Sequence, residues 1–168
     1  MSNHKLDLVI EQLTICKGET LRIAGGVAEA DRFRQLKEGK AHPAWLVGHL
    51  TSSADTIVLG WMLERESSLP KGFRKQFAPD FAGGLPITPK PEDYPAWDEV
   101  LGLYDEMMGK VITGIGGLED GDFPSPLKGN IPDSLRGFFS SVGQTLNIMV
   151  LHDSYHRGQI GMLSKLNS

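Results

Sequence analysis

The chain has 168 residues, enough for one domain with a sizeable core. Charged residues make up 23%, hydrophobic ones 40%, and the net charge is −4. This composition argues against nucleic acid, whose binding needs a concentrated basic surface. No apolar run is long enough to span a bilayer. The only cysteine, Cys16, excludes an intramolecular disulfide and fits a reducing cytoplasm. The opening residues, Met1 to Lys5, lead into an amphipathic stretch without the apolar centre of a signal peptide.

The first predicted helix covers Lys5 to Arg34. Leu6, Val9, Ile10, Leu13, Cys16, Leu21, Ala24 and Val27 keep the i, i+3, i+4 spacing of one buried face, and Gly25-Gly26 marks a kink or break. The second covers Pro43 to Arg65, with Pro43 in the first turn, where its missing N–H is harmless. Its inward face carries Trp45, Leu46 and His49, then Ser52, Ser53, Thr56, Ile57, Gly60 and Leu63. From Glu66 to Pro95 no period survives, and six of the ten prolines fall there. This is a long connection with room for a short helical turn, placed to cover one end of the molecule as a lid.

The third helix is predicted over Ala96 to Leu118, on a stripe running from Trp97 through Tyr104 and Met108 to Leu118. A Gly/Pro/Asp-rich connection from Glu119 to Asp133 leads to Ser134, the expected N-cap of a last helix over Leu135 to Leu166. The core face of that helix collects Phe138, Val142, Thr145, Ile148, Met149, His152, His156, Gln159, Ile160 and Leu163. The opposite face, Gly143, Asn147, Val150, Ser154, Gly161 and Lys165, is small enough for another helix of this or a second subunit to approach closely. No strand-like alternation competes. The expected fold is all-α: a four-helix bundle with a long Pro/Gly-rich connection between helices 2 and 3, and residues 1–168 as a single domain.

The most informative segment is His152-Asp153-Ser154-Tyr155-His156-Arg157-Gly158-Gln159-Ile160. Residues at i and i+4 share a helix face, so His152 and His156 point the same way. His49 lies on the inward face of another helix. Three neutral imidazoles with an open position suit a reactive divalent metal. His4 and His42 have no ligand partner at helical spacing, and Pro43 biases His42 toward a cap. Cys16 falls on a core stripe and reads as a buried small hydrophobe. Arg157 reads as a tether to a neighbouring element, and Gly158 as a packing residue. Trp45 is core or pocket wall. Ser52, Ser53, Thr56, Ser141 and Thr145 either line a polar pocket or bond back to their own helices.

These residues carry a resemblance. Trp45-x-x-x-His49-Leu50 and His152-x-x-x-His156-Arg157-Gly158-Gln159-Ile160 resemble the DinB/YfiT-like superfamily of metal-binding four-helix bundles, as do the chain length and the helix order. The resemblance implies His49, His152 and His156 as ligands of a divalent ion, nickel or zinc first, with iron or manganese as further candidates. It implies a homodimer. It also implies thiol-dependent transferase or isomerase chemistry with a low-molecular-weight thiol.

The same triad supports other chemistry. A metal can activate water for hydrolysis or a thiol for transfer, or it can serve a non-catalytic binding protein. His152-Asp153-x-x-His156 places an aspartate where zincin helices carry a glutamate base. Asp153 is therefore the candidate catalytic residue, with a plainer alternative as an acceptor that fixes a histidine tautomer. Gln159, on the histidine face, reads equally as a residue that orients a ligand or a water and as a core hydrogen-bonding residue.

Overall fold

The structure, a computed structural model, describes residues 3–165. All regular secondary structure among them is helical. Helix α1 (His4–Gly25) buries Leu6, Val9, Leu13, Cys16, Thr20 and Ala24 along one face. It stops at Gly25, short of the expected Arg34. Two successive glycines favour the unfolded chain over another helical turn, and the chain continues into a single 3-10 turn, Glu29–Asp31.

Helix α2 (Pro43–Ser53) starts as its sequence suggests, with Pro43 in the first turn. His42 is its N-cap: Nδ1 accepts from the Trp45 N–H at 3.1 Å, while Nε2 donates to the Thr88 carbonyl at 3.1 Å. From Ala54 to Met62 the helix becomes π-helical, ending with Leu63 N–H bonded to the Val58 carbonyl at 2.9 Å. Hydrogen bonding to i−5 moves the side-chain register forward by one residue per turn. The helix ends three residues before the expected Arg65.

The long connection is more ordered than its composition suggests. It contains a short helix, α3 (Phe73–Gln76), and 3-10 turns at Asp80–Ala82 and Pro91–Asp93. Two attachments hold it against α2 and its π-helical continuation. The buried Asp55 carboxylate takes Arg74 Nε at 2.6 Å and Ser67 Oγ at 2.7 Å. The fully buried Phe77 ring lies on Gly48, where a Cβ would stand 2.3 Å from ring carbons.

Helix α4 (Trp97–Ile115) buries Trp97, Val100, Tyr104, Met107, Met108, Val111 and Ile115, close to the expected stripe. After it comes a short helix, α5 (Asp133–Arg136), and then α6 (Val142–Leu163). The last helix therefore begins at Val142 rather than Leu135. Its N-cap is Ser141, whose Oγ accepts from the Gln144 N–H at 3.2 Å, and not Ser134. Ser141-x-x-Gln144 is the capping-box spacing, and Gly137 ends the preceding turn. The expected end at Leu166 lies outside the described residues.

Helix α1 packs on α6 and α4, and α2 packs on the same two helices. The small face of α6 is used inside the chain: Gly161 lies against Ile23 of α1 and Gly143 against Phe123. Among the described residues no helix is long and apolar enough to cross a membrane.

Candidate metal centre

His49 projects from α2, and His152 and His156 from consecutive turns of α6. Their ligating nitrogens all lie within 4.8 Å of one another. His152 Nε2 stands between the other two, 3.1 Å from His49 Nε2 and 3.1 Å from His156 Nε2. Two imidazole nitrogens bound to one ion at about 2.0–2.1 Å in tetrahedral geometry are roughly 3.3 Å apart. The two spacings that involve His152 are close to that value, and the His49–His156 pair lies within 4.8 Å.

The outer nitrogens fix the tautomers. His49 Nδ1 donates to the Phe77 carbonyl at 2.9 Å, and His156 Nδ1 donates to Gln159 Oε1 at 2.7 Å. Each bond keeps the proton on Nδ1 and leaves Nε2 as a bare lone pair. His152 faces both lone pairs, and its buried Nδ1 has no hydrogen-bond partner. A proton on His152 Nε2 can satisfy only one of its neighbours, whereas one cation satisfies all three. The donor set fits a divalent metal on these grounds.

Electrostatics favour the neutral rings that a metal requires. Burial, above all, lowers His49 from 6.5 to about 4 and His152 from 6.5 to about 3, and it lowers His156 as well. Trp45 stacks flat on His49, with centroids 4.8 Å apart and planes 9° from parallel. Trp45 is thus pocket wall as well as core.

Asp153 is placed differently from either expectation. Its carboxylate turns toward α1 and α4, where it accepts from Thr20 Oγ1 at 2.9 Å, Tyr104 Oη at 2.5 Å and, more weakly, Arg157 at 3.4 Å. It makes no hydrogen bond to a triad histidine. One helix position past His152 is about 100° round the helix, so the side chain leaves the metal face. Gln159 fills the acceptor role instead. Arg157 is a tether, bonded to Asp153 and Ser154. Cys16 lies 3.9 Å from Ser154 Oγ, and burial first, then the Asp153 charge, pushes its thiol pKa up. That environment suits a packed thiol rather than a nucleophile.

The triad forms part of the wall of a cavity of about 740 Å³. Ser52, Ser53 and Thr56 line it as one reading of the sequence expected, and Trp61, Leu135, Phe139, Leu151 and Tyr155 line it without having been singled out. Ser141 and Thr145 do not: Ser141 is a cap, and Thr145 Oγ1 is buried without a partner. The connection supplies Ala78, Pro79, Phe81 and Ala82. Among these, Trp61 was concealed by the π register.

A sequence profile of the DinB superfamily matches residues 12–160, most of the chain and all three histidines. The chain belongs to the DinB superfamily. No curated protein matches it, and no solved structure does. The DinB match therefore supports the all-helical fold, while the triad's geometry stands on the structure alone.

Proposed function

We propose that this DinB-type four-helix bundle is a metal-dependent enzyme, with His49, His152 and His156 holding one divalent ion, nickel or zinc, and thiol transfer as its reaction. The observation that carries this reading is the convergence of three Nε2 atoms on the wall of a large cavity. When bound, such an ion supplies Lewis acidity that lowers the pKa of a coordinated thiol or water.

The chain's own residues favour a thiol. Phe77 and Gln159 hold His49 and His156 as Nδ1–H tautomers, so their Nε2 lone pairs stay available. No aspartate or glutamate is among the residues lining the cavity, and Asp153 is committed to Thr20 and Tyr104. Activated water is normally helped by a general base within hydrogen-bond reach. A thiol ionises near pH ~8.5 unaided and can pass its proton to solvent.

The test begins with untagged protein and elemental analysis, which should find about one divalent ion per chain. Cobalt substitution followed by an uncharged aromatic thiol, benzyl mercaptan, should then give a sulfur-to-cobalt charge-transfer band and thiol-dependent turnover of a chlorodinitrobenzene electrophile. Cleavage of nitrophenyl esters without thiol ligation would replace this reading with hydrolysis. A bound metal with no turnover of either kind would leave a binding protein.

A further inference from the structure

The cavity beside the triad contains no charged side chain among the residues that line it. Its wall is built from Trp45, Trp61, Phe81, Phe138, Phe139 and Tyr155, filled in by aliphatic residues. Besides the imidazoles, its polar side chains are three small hydroxyls, Ser52, Ser53 and Thr56, together with Tyr155 and Trp61, while the Trp45 indole N–H is taken by the Gln76 carbonyl at 3.3 Å. At about 740 Å³ it falls in the range that encloses a drug-sized molecule.

The rim points the same way. Phe81 is 82% exposed, Phe138 56%, Leu151 68% and Tyr155 65%, and all four border this one cavity. Exposed apolar side chains gathered around a concave site mark a binding surface, whereas scattered ones need no explanation. The other exposed large apolar residues, Leu8, Ile15, Leu36, Leu85 and Met162, are not among those lining this cavity.

We propose that the cavity takes an uncharged, apolar ligand with an aromatic body and one donor atom directed at the histidines. A carboxylate, phosphate or sulfonate on the part of that body turned away from the histidines would lose its water and meet no Lys or Arg in the wall, which disfavours it. The aromatic faces instead stack against a planar ring, and the small hydroxyls take a single polar substituent. The direction of the donor atom rests on the metal reading; the burial of the apolar body does not.

Matched fluorescent probes test this on the intact protein. N-phenylnaphthylamine is neutral, and anilinonaphthalene sulfonate has a similar ring system with one added anion. The neutral probe should bind about tenfold more tightly or better. Phe138→Glu, at an exposed rim position, should weaken it by a similar factor, while Leu36→Glu should leave it unchanged. Equal affinity for the two probes would overturn the proposal, and so would indifference to Phe138→Glu. Light scattering covers the remaining occupant: a doubled mass with probe binding recovered only on dissociation would make the rim a subunit interface and overturn the ligand. Probe discrimination persisting in a protein that binds no metal would refute the metal reading alone. Metal binding without discrimination would refute this inference alone.

Discussion

Gln159 and the Phe77 carbonyl do the same job on two different histidines: each takes the Nδ1 proton and turns Nε2 toward the common point. Only the first can be removed by mutation. Gln159→Leu should weaken metal binding by about 10–100-fold with the helical content unchanged, read by competition with a chromophoric chelator. His49→Ala should do more, because it removes a ligand from the helix opposite α6. Asp153→Ala should behave in the reverse sense. It leaves the Thr20 and Tyr104 hydroxyls without their buried acceptor, so chemical denaturation should show a loss of roughly 2–4 kcal/mol. Metal content in the surviving folded protein should be unchanged; its disappearance would restore Asp153 to the site. The triad was legible because i, i+4 spacing fixes direction within a helix. The target of Asp153 was not, because Thr20 and Tyr104 lie on other helices. The Phe77 carbonyl was equally hidden, being a backbone acceptor in a segment without period.

At the level of helices, the places where sequence and structure part share one physical cause. Hydropathy records which faces are buried, whereas the position of a break depends on backbone hydrogen bonds. Apolar periodicity runs through Phe138 toward Val142, yet Ser141 takes the Gln144 N–H and starts a new helix there. Ser141→Ala should therefore cost about 1 kcal/mol, whereas Ser134→Ala should be nearly neutral in thermal denaturation. The π stretch over Ala54–Met62 has no hydropathy signature either, although it brings Trp61 into the cavity wall beside Thr56 and Ile57. Gly48 ties the connection to the histidine cluster. An alanine Cβ there meets the Phe77 ring at 2.3 Å, and the fully buried ring has little room to yield. Gly48→Ala should destabilise by roughly 1–3 kcal/mol and should also loosen metal, because Phe77 carries the carbonyl that orients His49. Destabilisation with full metal affinity would show that the carbonyl does not follow its ring.

Across the whole molecule, buried imidazoles make stability depend on pH with a definite sign. His42 is fully buried as the α2 cap, and burial lowers its pKa from 6.5 to about 4 against the opposing pull of its backbone hydrogen bonds. Between those values the unfolded chain binds a proton that the folded chain refuses. Stability is therefore fully present above 6.5 and is lost as the pH falls toward 4, by roughly 3 kcal/mol for this one group. His49 and His152 act in the same direction in metal-free protein, since burial lowers them too. A bound ion adds to the effect, because protons must displace it from the same nitrogens. At 100 times its Kd an ion adds about 2.7 kcal/mol at neutral pH, and that increment should shrink on acidification. Denaturation of chelator-treated and metal-loaded protein at about pH 7.5 and pH 5 separates the two contributions. His42→Asn keeps an N-cap acceptor and removes its titration, so the variant should lose less stability between those two conditions than the parent. Parallel losses in variant and parent would mean that His42 is already charged in the fold. A metal increment equal at both conditions would mean that the ion is not held by imidazole.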